Sequence, residues 1–169
     1  SFDYATNNFF DLLEDKSIDL IAISTQHNTH AQFIVEALKA GKHVYCEKPL
    51  CLTIAELDEI EKVYKESQGE LFCGLNRRYA PLIQEIKNRL TTDKIPAIYN
   101  YICNAGTIPV DHWMQNEAIG GGRILGEACH FIDVIQFLDG SEIISLDVAY
   151  LQNDAYPKKD NAIITLQFK

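Results

Sequence analysis

The chain has no C-x-x-C pair, no apolar run near the roughly 18 residues of a membrane span, no visible secretory signal, and little positive charge. Its five cysteines (46, 51, 73, 103 and 129) are odd in number and lack metal spacing, which suggests no metal site and a reducing cytoplasm. Cys46, Cys73, Cys103 and Cys129 lie in apolar runs where a small buried thiol fits. Fifteen lysines and arginines against 24 aspartates and glutamates give a net charge of −9, so neither nucleic acid nor an anionic membrane is expected as main partner. A phosphate-bearing ligand remains compatible with that charge, because backbone N–H groups and a few side chains hold a phosphate locally. What is left is ordinary: 169 residues, 47% apolar and 23% charged, suit one globular domain or slightly more.

No G-x-G-x-x-G turn follows an apolar strand in this chain. Gly120-x-Gly122-x-x-x-Gly126 comes near, but it follows Trp113 to Ile119 rather than a strand, and no βαβ unit surrounds it. There are no internal repeats and no low-complexity segments.

Four short strands alternate with helices through the first half, the doubly wound pattern with right-handed crossovers. Ile18 to Thr25, His43 to Lys48 and Leu71 to Asn76 read as parallel strands. Thr29-x-x-Gln32 and Thr53-x-x-Glu56 read as capping boxes opening helices, and Gly41 falls where a left-handed cap closes the first. Ile54, Leu57, Ile60 and Tyr64 form a narrow apolar stripe on the second helix. Pro81 opens a third, with Leu82, Ile83, Ile86 and Leu90 on one face. After Asp93 the pattern changes. Ala97 to Asn104, Ile143 to Leu151 and Ala162 to Phe168 read as strands, and one helix, Gly122 to Leu138, is stopped by Gly140. The predicted fold class is α/β: a partial Rossmann-like parallel sheet over 1–78, then an incomplete α+β domain with a mainly antiparallel sheet over 79–169. The chain starts at Ser1-Phe2-Asp3, without methionine, in what reads as the middle of a fold, and it ends within an alternating strand at Lys169. A piece of a larger protein is expected.

Glu47-Lys48-Pro49 is the most informative tripeptide. It ends the apolar run His43 to Cys46 at the carboxyl end of a strand, where open α/β sheets bind ligands. A lysine there either stabilises charge on a ligand or pairs with Glu47 at the surface. Ser24, Thr25, Asn28 and His30 stand between a strand and a helix start, where hydroxyls and orphan N–H groups meet a ribose or phosphate, or simply form a capped loop. Asn76 and Arg77 end the next strand and reach the same crevice; Arg78 reads equally as a surface ion pair. His130 follows Gly126 at i−4 and Glu127 at i−3 on a helix, and serves as an acid/base group or as a satisfied histidine between layers. Asp133 reads as a helix-surface charge, and His112 and Trp113 either border a pocket or pack at a domain seam.

The ordered set Ile21-Ala22-Ile23-Ser24-Thr25, His30, Ala37 to Val44 and Glu47-Lys48-Pro49-Leu50, followed by Gly120 to Asp133, resembles the two signatures of the Gfo/Idh/MocA family of nicotinamide-dependent oxidoreductases. The resemblance covers nearly the whole chain. Asn76 to Pro81 and Asp111-His112-Trp113 look closest to a subgroup fused to a zinc-type alcohol dehydrogenase-like domain. The family implies NAD or NADP as cofactor, a sugar or polyol-like small molecule as substrate, and hydride transfer between them. It implies that Lys48 points at the substrate oxygen, that Glu47 sits nearer the cofactor, and that the Lys48–Pro49 bond is cis. Thr25 and His30, with Ser24, Asn28, Asn76 and Arg77, would contact the cofactor, and Lys48 and His130 would converge on one cleft. Many relatives carry aspartate four residues before the histidine; Gly126 stands there, which puts a Lys–Asp–His triad in doubt but not the Lys–His pair. A homo-oligomer through the face of the second-domain sheet is expected. The alternative is a non-catalytic member used for ligand sensing or protein interaction. Without the phosphate-cradling turn, the chain alone should bind the nucleotide poorly.

Overall fold

The computed structural model describes residues 3–93, 97–151 and 161–169, and the chain divides into two compact units, Ser1–Gly74 and Leu75–Lys169. In the first, Leu20–Ile23 (β1), His43–Cys46 (β2) and Leu71–Cys73 (β3) form a parallel sheet in that order, with Ile21 opposite Val44 and Val44 opposite Leu71. Among the described residues three strands, not four, build it. β1 buries Ile21 and Ile23 and exposes the residues between, as a strand half covered by helix must. The cover is helix α2 (His27–Lys39), which places Ala31, Ile34, Val35, Ala37 and Leu38 in one core with Val44, Cys46 and Ile60. A short helix α1 (Phe9–Glu14), capped by the Asn8 side chain, adds Phe9, which meets Phe33 at 4.6 Å between ring centroids.

Helix α2 starts three residues earlier than the Thr29-x-x-Gln32 pattern predicts. Gln26 is its N-cap, and Thr29 lies inside the first turn, its hydroxyl bonded back to the Gln26 carbonyl at 2.8 Å. Its end matches expectation: the N–H groups of Gly41 and Lys42 return to the carbonyls of Leu38 and Ala37, the Schellman arrangement. Thr53 and Glu56 form the predicted capping box of α3 (Ile54–Glu66). The stripe on α3 is narrower than predicted. Only Ile60 is buried, with Val63 partly so, whereas Ile54 is 74% exposed, because α3 leans on α2 along one seam.

In the second unit, Pro81–Asp93 (α4) starts at its proline as predicted. Residues 124–128 form a π-type turn that runs into Cys129–Asp139 (α5), which ends on left-handed Gly140. Lys87 of α4 donates to the carbonyl of Leu138 in the last turn of α5, at 3.2 Å. Ile143–Tyr150 (β4) and Ala162–Phe168 (β5) pair antiparallel, with Leu146 opposite Leu166 and Val148 opposite Ile164. The predicted strand Ala97 to Asn104 does not form. Ile98 and Ile102 are each 92% exposed, and no strand among the described residues pairs with this segment. Alternation makes a strand only where a neighbour accepts its hydrogen bonds. All five cysteines are free thiols; Cys103, expected to be buried, is exposed on that same segment.

Candidate active site

Because β1, β2 and β3 run parallel, their carboxyl ends share one edge of the sheet, and the first unit gathers most of the expected site residues there. Ser24 and Thr25 leave β1 exposed, and Asn28 is exposed in the first turn of α2. No side chain caps that helix, and its first turn carries the partial positive charge that suits an anionic or hydroxyl oxygen. The Thr29 hydroxyl gives its proton to the Gln26 carbonyl and lies 2.6 Å from the Thr25 hydroxyl. Thr25 therefore donates to Thr29 and presents an acceptor oxygen outward.

Glu47 and Lys48 follow β2. The Glu47 N–H donates to the Ile23 carbonyl at 2.9 Å, which ties the exit of β2 to the end of β1. The Tyr45 hydroxyl donates to Glu47 Oε1 at 3.0 Å, and the Lys48 N–H lies 3.4 Å from Oε2. The hydrogen bond to this carboxylate, with burial, raises the Tyr45 phenol above its ordinary pKa, so Tyr45 stays a donor. Its ring stacks on Phe72, 5.7 Å between centroids and 14° between planes. A Cβ at Gly74 would stand 3.0 Å from the Tyr45 hydroxyl and 3.1 Å from the Glu47 carboxyl, so a side chain there would press on this pair. Lys48 is half-buried, and the Lys48–Pro49 bond is cis, as the resemblance implies. Beside it Cys46 is inert: burial pushes its thiol up to about 12.

His30 lies behind this edge. It is wholly buried, with Nδ1 2.7 Å from the Pro49 carbonyl and Nε2 3.1 Å from the Thr25 carbonyl. Both partners are acceptors, so a neutral ring donates to one and an imidazolium to both.

The second unit holds Asn76, Arg77 and His130. Asn76–Tyr79 is a tight 3₁₀ turn packed on α5. The Arg77 guanidinium sits 4.9 Å over the Phe131 ring, which also stacks on Tyr101 at 4.7 Å. Asn76 is exposed nearby. His130 is buried on α5. The α-helical spacing assumed for Gly126 and Glu127 does not hold, because the π turn widens the helix by one residue just before His130. Glu127 instead opens on a cavity of about 740 Å³ with Tyr99, Tyr101, Arg123, Phe131 and Ile135, whereas His130 does not line it. Asp133, expected at the surface, is buried: Arg78 Nε donates to its Oδ2 at 2.9 Å and Arg78 Nη2 to its Oδ1. A carboxylate on the helix face of His130 needed a cation, and Arg78 supplies it. His112 accepts the Met114 N–H at 3.2 Å and so caps the turn that carries Trp113. The Gly120 turn is no open cradle, since a Cβ there would stand 2.3 Å from the Met114 backbone.

Tyr45, Gly74 and the Pro49 carbonyl escaped the sequence reading. Tyr45 carried a signal, because residues two apart on a strand share a face. Among the described residues no three His, Cys, Asp or Glu side chains gather as a metal set, and no helix is long and apolar enough to cross a membrane.

Residues 2–75 match the model of an oxidoreductase family NAD-binding Rossmann fold, and residues 87–169 match that family's C-terminal alpha/beta domain. A myo-inositol 2-dehydrogenase of Thermotoga maritima is 28% identical over 166 residues, 94% of this chain and 49% of the relative. A levoglucosan dehydrogenase of Pseudarthrobacter phenanthrenivorans is 28% identical over 149 residues, 82% of this chain and 37% of the relative. The crystal structure of an NAD-binding protein from Listeria innocua superposes with a TM-score of 0.83 at 28% identity, covering 97% of this chain and 48% of that one. The chain thus spans about half the length of the curated relatives it matches.

Proposed function

Because the chain belongs to the Gfo/Idh/MocA oxidoreductase family and carries its NAD-binding and C-terminal domains in order, we propose that the intact protein is an NAD(P)-dependent dehydrogenase of a sugar or cyclic polyol. The observation that carries this reading is the Glu47–Lys48–Pro49 turn, held at the carboxyl edge of a parallel sheet beside the exposed Ser24, Thr25 and Asn28. These groups fit the nicotinamide and ribose end of a dinucleotide, with donors and acceptors but no turn for the pyrophosphate. The family's NAD-binding fold supports NAD, and NADP stays within the proposal.

The nicotinamide, when bound, supplies the hydride acceptor or donor. Ser24, Thr25, Asn28 and Glu47 would hold ribose and amide, and Asn76 and Arg77 remain proposed cofactor contacts. Lys48 stabilises charge developing on the substrate oxygen, and His130 takes or returns the hydroxyl proton. His30 acts from behind rather than by contact. The reading requires Lys48 and His130 to face one substrate, and a substrate-bound structure with the two on unrelated surfaces would contradict it. The finer likeness to the subgroup fused to a zinc-type alcohol dehydrogenase-like domain, a cytoplasmic location and assembly through the second-domain sheet belong to the same proposal. No observation favours the non-catalytic alternative.

The test is a panel of inositols and anhydro- and free sugars with NAD⁺ or NADP⁺, followed by the nicotinamide absorbance. Reduction with at least one cyclic polyol or sugar supports the proposal. A folded intact protein that reduces neither cofactor with any of them would overturn it.

A further inference from the structure

We propose that His30 is a positioning residue, a strap whose ring holds the Thr25 and Pro49 carbonyls at a fixed spacing and thereby aims Lys48. This rests on the reading of Lys48 as the group facing the substrate oxygen. His30 is fully buried on the first turn of α2, with Ala31 and Ile34 beside it in the core, so the ring is anchored to a rigid element. Its two nitrogens engage carbonyls on two other segments, 2.7 Å to Pro49 and 3.1 Å to Thr25. Neither carbonyl belongs to the sheet ladder, because β1 ends at Ile23 and β2 at Cys46. Past those ends the chain would drift unless something gripped it. One imidazole stands between both exits, donating to both as an imidazolium and to one while packing against the other as a neutral ring. Each exit is one residue from a group assigned to the site: Ser24 before Thr25, and Lys48 before Pro49.

An ordinary core histidine satisfies its nitrogens wherever acceptors happen to be. Here both acceptors belong to the two loops whose relative placement sets the distance from cofactor to substrate oxygen. A displacement of about 1 Å at such a site costs on the order of a hundredfold in rate. The ring contacts no reactant, so its loss should appear in turnover rather than in affinity.

The experiment uses the intact protein and compares His30→Ala, His30→Gln, Lys48→Met and the double variant His30→Ala/Lys48→Met. The proposal expects His30→Ala to lower kcat on the order of 10- to 100-fold while KM for cofactor and substrate changes little. The primary deuterium isotope effect on the carbinol hydrogen should rise, since hydride transfer becomes slower relative to product release. His30→Gln, which keeps one N–H donor, should recover part of the loss, and it carries the same test if the alanine variant fails to fold. The double variant should turn over no more slowly than Lys48→Met alone, because the strap acts through that lysine. Losses that multiply in the double variant, or a full kcat in His30→Gln and His30→Ala, would overturn the strap and leave the dehydrogenase reading standing. Full turnover by Lys48→Met would overturn the reading on which the strap rests.

Discussion

Tyr45 spends its phenolic proton on Glu47, and Gly74 leaves the room for it. Tyr45→Phe keeps the stack on Phe72 but frees the carboxylate to swing, so cofactor affinity should fall several-fold while stability falls by only about 1 kcal/mol. Equilibrium titration with NADH and thermal melts check the two effects separately. Gly74→Ala pushes on the same pair from the other side, and affinity should fall with stability, since a Cβ at 3.0–3.1 Å forces hydroxyl and carboxyl to move. Cys46 titrates in a window of its own. The stability gained by keeping its thiol neutral is intact below the usual value near 9.0 and is lost as pH rises towards about 12, because the unfolded thiol ionises first. Alkaline denaturation should therefore ease for Cys46→Ala relative to the native chain above pH 9.0, and thiol reagents at neutral pH should label exposed Cys103 well before Cys46. At this scale the sequence disclosed the residues that end strands, because an acid, a base and a proline interrupt an apolar run there. It did not disclose His30's place. A histidine on the buried face of a helix looks the same whether it meets a ligand or two carbonyls.

At the scale of elements, the parallel strands and the Thr53 capping box were legible because each is fixed by its own few residues. The segment Ala97 to Asn104 was not, because its alternation awaits a neighbour that no described residue provides. The π turn at 124–128 was equally silent, because nothing in Ile-Leu-Gly-Glu-Ala marks the one-residue widening of the helix. That one extra residue moves Glu127 to the cavity face and undoes an i−4 pairing argument for His130. The same helix carries Asp133, whose burial ties α5 to the 76–79 turn through Arg78. Arg78→Met strands a buried carboxylate and should destabilise the intact protein by about 3 kcal/mol, whereas Arg78→Met/Asp133→Leu should recover most of it. Chemical denaturation reads both. Equal losses in the single and double variants would mean that Arg78 contributes packing rather than charge.

For the whole molecule, the change from a parallel α/β unit to a unit with an antiparallel strand pair was legible, because the hydrophobic period changes within one chain. Charge acts at this scale too. With −9 overall, the protein should pass through a polyanionic resin at physiological salt, and retention would contradict the exclusion of nucleic acid. Residues 1–169 alone should bind NAD more weakly than micromolar by titration calorimetry, since only one end of the dinucleotide finds partners in them. The most direct measurement is the turnover of Lys48→Met in the intact protein with its preferred polyol or sugar. The account predicts a fall in kcat on the order of 10²–10³ with cofactor affinity nearly unchanged. Full turnover with every substrate the native protein oxidises would contradict it.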